Sequence, residues 1–227
     1  MNRSQLLRRV LASRVEGFPY PSDGLLHYWR LDESPALDES VYSDDIGSRN
    51  GTIVANDEND KSVVGKLGNA FQSDGIDDTV DFGTEDVFTA DHSICFWIRA
   101  ANTSTTQIIF QKRSGNNRPI YFFFQSGFIK SFTSTTTNNA NNVEKSAMVT
   151  NTWYHIAVTF QEGGAKKLYV NGEEEHSITT TGTLVQTTAP MLIGDTSFPG
   201  VFTIDDILIY DRVISPSEIQ TIYNYGS

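Results

Sequence analysis

The 227-residue sequence predicts an all-β fold: an antiparallel two-sheet sandwich with an N-terminal helical arm and a short C-terminal helix. Three observations carry that prediction. From Leu25 onward the apolar residues recur with a period of two, turn-forming residues punctuate the chain at short intervals, and strands do not alternate with helices. The expected division is an arm over residues 1–21 and a sandwich over 22–227.

The arm differs in kind from the sandwich. Leu6, Leu7, Val10, Leu11 and Val15 form one apolar stripe at helical period, Ser4 is a plausible N-cap, and Gly17, Pro19 and Pro21 stop the helix. Residues 1–21 carry four arginines and one glutamate, net +3, against −14 for the remainder. Arg8, Arg9 and Arg14 interrupt the apolar core that a secretory signal needs, so no secretion signal is expected. Two readings stay open: a frayed terminal helix, or a docking and oligomerisation helix that buries its stripe on a partner.

Strands occupy the rest of the chain. His27, Trp29 and Leu31 alternate with Tyr28 and Arg30, Thr79 and Asp81 with Val80 and Phe82, and Tyr154, Ile156, Val158 and Phe160 with His155, Ala157 and Thr159. Turn signals stand at 73–75, 114–117, 163–164 and 171–172. Asn171-Gly172 predicts a two-residue hairpin, because a type I′ turn requires positive φ at both central positions. About a dozen strands result. Trp29, Trp97 and Trp153 are each expected in the core, and His155 is read as a strand residue satisfied by hydrogen bonds. The polar stretch 131–142 reads as an exposed edge strand or loop. At the end, Ser215, Pro216 and Glu218 spell a capped helix start, with Ile219, Ile222 and Tyr223 as its apolar face.

Composition narrows the function classes. No run approaches the roughly 18 apolar residues of a membrane-spanning helix. Seventeen basic against 28 acidic residues give a net charge of −11, which repels a nucleic-acid backbone. The single cysteine, Cys95, lies in the apolar run Ile94-Cys95-Phe96-Trp97 and reads as a buried hydrophobe.

A series of segments then appears in a fixed order: Tyr28-Trp29-Arg30-Leu31-Asp32-Glu33, Asp45-Ile46-Gly47, Asn50-Gly51, Gly65-Lys66-Leu67-Gly68-Asn69-Ala70-Phe71, and Asp74-Gly75-Ile76-Asp77-Asp78-Thr79-Val80. Ser93–Arg99, Trp153–Thr159, Leu168–Gly172 and Ile204–Arg212 come next, with Ser215 and Glu218-Ile219 closing the set. Over residues 25–225 this resembles the laminin-G-like branch of the concanavalin A-like lectin/glucanase superfamily. The resemblance implies a two-sheet jelly roll, a scaffold that carries lectins, hydrolases and structural modules alike.

Glucanases of this kind place acidic residues at alternating strand positions, Glu-x-Asp-x-Glu or Glu-x-Asp-x-x-Glu, and the sequence holds neither pattern. No catalytic residue is therefore assigned, and the expectation is a non-catalytic protein. For ligand binding, the candidates are Tyr121 and Phe123 in an aromatic run, and Asp195 and Phe198 in the 195–202 loop, since sugars take an aromatic face beside carboxylate acceptors. Tyr121–Phe124 cannot all face one side, so the strand is either buried on both faces or presents two rings to a ligand. No cofactor is required. By resemblance such folds often hold one structural calcium ion, and Asp45 and Asp205 are its best side-chain ligands here, with solvated turns as the alternative. The favoured reading is a virion surface or appendage protein of a bacterial virus (capsid decoration, tail or fibre), docked by its arm to other virion proteins. In that role it is expected to be homo-oligomeric and to contact host glycans. The alternative is a cellular carbohydrate-binding or adhesion module, extracellular or at the cell surface, within a larger secreted protein.

Overall fold

The computed structural model describes residues 19–87, 90–138 and 140–227. The arm's Leu6, Leu7, Val10, Leu11 and Val15 lie outside the described residues.

Among the described residues the chain forms β1 (Leu25–Trp29), β2 (Val41–Tyr42), β3 (Gly51–Val54), β4 (Ser62–Val64), β5 (Asn69–Asp74), β6 (Thr79–Asp81), β7 (His92–Ala100) and β8 (Gln107–Ser114). It continues with β9 (Asn117–Gln125), β10 (Phe128–Thr133), β11 (Asn141–Lys145), β12 (Tyr154–Phe160), β13 (Ala165–Val170), β14 (Glu173–Thr179), β15 (Met191–Ile193) and β16 (Val201–Tyr210), before the helix α1 (Pro216–Gly226). They assemble into two eight-stranded antiparallel sheets. The first runs β14-β13-β12-β7-β16-β5-β4 with β1 also on β16, and the second runs β11-β10-β9-β8-β15-β6-β3-β2. This is the two-sheet sandwich that the period-two pattern predicts.

Alternation explains the layers. Along β9, Ile120, Phe122 and Phe124 enter the core between the sheets with Trp29, Phe71, Phe96, Phe110 and Phe202. Tyr121 and Phe123 point the other way and join Ile108 and Phe132 in a separate cluster on the outer face of the second sheet. The outer face of the first sheet is covered as well: Cys95, Ala157, Tyr169 and Leu208 pack against Ile219 and Ile222 of α1. Tyr20, in the segment the sequence gives to the arm, belongs to this same layer and meets Tyr28 and Tyr225 edge-on.

Local signals operate as read. Asn171 and Gly172 both have positive φ, 52° and 84°, closing the β13–β14 hairpin. The α1 start is a reciprocal capping box in which Glu218 N donates to Ser215 Oγ and Ser215 N donates to a Glu218 carboxylate oxygen.

Three expectations need correction. Trp153 is only half-buried, because it precedes β12 rather than sharing its inward alternation, and its ring lies under the Arg99 guanidinium at 5.0 Å. His155 is fully buried, but neither ring nitrogen has a partner among the described residues; it is enclosed by Trp97 and Tyr223 instead. The polar stretch 131–142 fits its expectation in part: it leads into the sheet-edge strand β11 and Thr136, Thr137 and Asn138 are exposed, but Ser131, Thr133, Ser134, Thr135 and Asn141 are buried. Lys166 explains part of this, since its ammonium crosses from the first sheet to the carbonyls of Ser131 (2.8 Å) and Asn141 (3.0 Å).

Candidate functional site

The outer face of the second sheet concentrates unusual chemistry. On β8, Gln111 and Arg113 are two residues apart and so share a face, and Gln111 is the register partner of Tyr121 on β9. Tyr121 and Phe123 obey the same rule, and their rings are 4.9 Å apart; Phe132 closes the cluster edge-on to Phe123 at 5.0 Å. Two guanidinium groups lie over Tyr121, those of Arg113 at 5.4 Å and Arg118 at 5.3 Å, and Arg118 also covers Phe132 at 5.7 Å. Such stacking holds a cation flat while leaving in-plane N–H donors for other partners.

The 195–202 loop comes to the same place. Asp195 Oδ2 accepts from Gln111 Nε2 at 2.8 Å and Arg113 Nη2 at 3.1 Å, while Oδ1 accepts from the amides of Ser197 and Phe198, each at 2.8 Å. Burial works to raise the Asp195 carboxyl, but these donors hold it below the usual carboxylate range. For the Tyr121 hydroxyl, burial prevails over the two arginines and pushes it up. Phe198 stands 45% exposed beside this network.

The four ligand candidates are therefore neighbours, with one difference from expectation. Tyr121 and Phe123 are buried, 9% and 4% exposed, so they do not offer a bare stacking platform. The strand is covered on both faces, and the Tyr121 ring serves as a seat for arginines. Arg113, Arg118 and Gln111 were not singled out from sequence; the alternation of Gln111 and Arg113 opposite the Tyr121–Phe123 pair is the signal that could have found them.

The charge at this face is unbalanced. Asp195 compensates Arg113, whereas Arg118 forms no ion pair among the described residues: its Nη2 meets Asn116 Oδ1 at 3.1 Å and its buried Nε has no partner.

The acidic clusters are arranged otherwise. Asp45 is held by the Arg30 guanidinium at 2.6 Å. Asp205 is fully buried, its Oδ2 accepting from the amides of Lys66 and Leu67 and its Oδ1 without a partner. The two carboxylates share no partner among the described residues, and the Arg30 guanidinium already brings positive charge to Asp45. The described residues hold one group of three acids whose oxygens lie within 4.8 Å of one another, Asp74, Asp77 and Asp78. There the Lys61 ammonium is 2.9 Å from Asp78 Oδ1 and 3.6 Å from Asp74 Oδ2, in the position of a bound cation.

A family model, described as the concanavalin A-like lectin/glucanases superfamily and of laminin-G type, matches residues 74–220. The chain belongs to this superfamily. No curated protein sequence matches this chain. Among solved structures, it is similar to the receptor-binding domain of botulinum neurotoxin D (TM-score 0.68) and the binding domain of Paraclostridial Mosquitocidal Protein 1 (0.69), each at 16% identity over 89% of this chain and 52% of theirs. A third, the serotype D ligand-binding domain solved in complex with N-acetylneuraminic acid, aligns with TM-score 0.68 at 16% identity over 89% of this chain and 51% of its own. The chain thus spans about half the length of these domains, and at this identity the likeness is one of fold.

Proposed function

We propose that this protein is a non-catalytic glycan-binding module whose outer sheet face takes an acidic sugar. The observation that carries the proposal is the pair of guanidinium groups on Tyr121, of which Arg113 is paired with Asp195 while Arg118 has no ion pair among the described residues. In this reading Arg118 and Arg113 take the sugar's acid group, since a guanidinium's forked N–H donors match a planar anion. Phe198 offers an exposed ring for the sugar's apolar face. The structurally similar neurotoxin domain solved with N-acetylneuraminic acid supports the ligand class, as does the membership of the lectin/glucanases superfamily. A non-catalytic role is supported by the state of the acids: Glu174 and Glu175 are tied to Lys167 and Lys145, and Asp205 and Asp206 are too deeply buried for a substrate to reach.

The proposed location is the surface of a bacterial virus particle or appendage, with the +3 arm anchoring the acidic sandwich to other virion proteins; this rests on the sequence of the arm.

The test is a glycan array carrying matched acidic and neutral saccharides, probed with the full chain and with Arg118→Ala and Arg113→Ala. Selective retention of acidic glycans, weakened at least tenfold by Arg118→Ala, is expected. Equal capture of the neutral partners would sink the acidic assignment.

A further inference from the structure

A second site lies further along the same sheet as the arginine face, with β15 between Asp81 on β6 and Gln111 on β8; there His27 borders a cleft of about 780 Å³ lined also by Asn50, Thr52, Asp81, Phe82 and Val87. His27 Nδ1 is 2.6 Å from Asp44 Oδ2. The side chain of Asp44 is fully buried and receives four backbone amides besides: Tyr28, Ile46 and Gly47 on Oδ1, and Arg49 on Oδ2. Five donors on one carboxylate keep it ionised. An ionised carboxylate can only accept, so Nδ1 is the donor to Asp44, and in the neutral imidazole Nε2 is then the acceptor. Nε2 has no partner among the described residues and is not sealed from solvent. The ring is fixed by stacking on Trp29 at 5.1 Å and 14°. Gly47 is required for this pair, because a Cβ there would stand 2.3 Å from Asp44 Oδ2 and 2.6 Å from His27 Nδ1.

The lining selects the ligand. Asp81, Glu85 and Asp86 make the cleft unfavourable for an anion, and Arg49 is already engaged by Glu85 and by the carbonyls of Glu85 and Asp86. The described three-carboxylate cluster lies elsewhere, so no metal is called for. What remains is a fixed imidazole acceptor, a carboxylate acceptor at Asp81 and the amide donors of Asn50, whose Oδ1 is occupied by the Asp44 amide. Phe82 and Val87 add apolar wall. We infer that this cleft is a second saccharide subsite, for a neutral, hydroxyl-rich sugar whose hydroxyl donates to His27 Nε2. The ligand class rests on the glycan-binding reading above, but the subsite needs none of the arginine-face residues.

The experiment is an NMR titration of the full chain with lactose, cellobiose, maltose and N-acetyllactosamine. It tracks the Asn50, Thr52 and Thr84 amides and the His27 imidazole nitrogens. Saturable shifts with at least one disaccharide are expected, including a shift of Nε2 while Nδ1 keeps its proton. Thr52→Trp, at an exposed position that blocks the cleft without disturbing the core, should abolish them. Arg118→Ala should leave them intact. Absence of shifts with all four sugars, or shifts that persist in Thr52→Trp, overturns the subsite. Loss of acidic-glycan capture by the arginine face is read separately on the array and does not bear on this result.

Discussion

Asp205 and Asp206 are consecutive residues with both carboxyl groups buried on the bulge of β16, where Asp206 adopts a positive φ of 47°. Asp205 meets the amides of Lys66 and Leu67, and Asp206 accepts from the Tyr28 hydroxyl. Burial, reinforced for Asp205 by its neighbour's charge and for Asp206 by Asp32, raises both above the usual carboxylate range. The native state then retains protons that the unfolded chain releases above about pH 4. Stability from this pair is complete below that value and declines as pH rises toward neutrality. Asp205→Asn, which mimics the protonated acid, should flatten the decline. Urea unfolding from pH 4 to 8 measures it, and stability that increases with pH identically in both proteins would contradict it.

His155 gives the opposite slope. Burial lowers its imidazole to about 3, against about 6.5 in an unfolded chain. A depressed native value means that its contribution is complete above about pH 6.5 and is lost on acidification, at about 1.4 kcal/mol per pH unit at most. His155→Phe keeps an aromatic ring between Trp97 and Tyr223 and removes the titration. The variant should gain stability relative to the wild type at pH 4 but not at pH 8. Equal differences at the two pH values would show that the ring does not titrate with unfolding.

Trp29, the last residue of β1, and Trp153, which precedes β12, should behave differently. Trp29 is fully enclosed, donates from Nε1 to the Arg49 carbonyl at 2.6 Å and packs on Phe82 at 4.6 Å, so Trp29→Ala should cost about 3–5 kcal/mol. Trp153 loses chiefly the Arg99 contact and part-buried area, so Trp153→Ala should cost about 1 kcal/mol. Denaturant midpoints at constant slope decide between equal and unequal costs.

These cases show where sequence reading stops. The β9 alternation, the Asn171-Gly172 hairpin and the Ser215 cap depend on residues close in sequence, and all were legible. Trp153 was misplaced because strand boundaries decide its side, and local pattern leaves those uncertain by a residue or two. The arginine face needed the β8–β9 register, which pairs Gln111 with Tyr121, and a loop from residue 195 arriving over it. His27 and Asp44 are 17 residues apart, and only the folded turn at 44–49 brings the carboxylate under the imidazole. Lys166 was equally hidden, since its acceptors come from the opposite sheet.

The arm supplies the last prediction. An isolated helix of about 15 residues is marginal in water, so the stripe of Leu6, Leu7, Val10, Leu11 and Val15 gains most by burial against a partner. Tyr20 packs against Tyr28 and Tyr225, so a deletion that tests the arm must spare it. Removal of residues 1–18 should leave an unchanged unfolding midpoint and intact acidic-glycan capture, while particle attachment or self-association is lost. Light scattering of the full-length and truncated proteins, with and without candidate virus particles, reads the second part. If the truncated protein associates as the full chain does, the arm has no docking role and the virion assignment loses its basis.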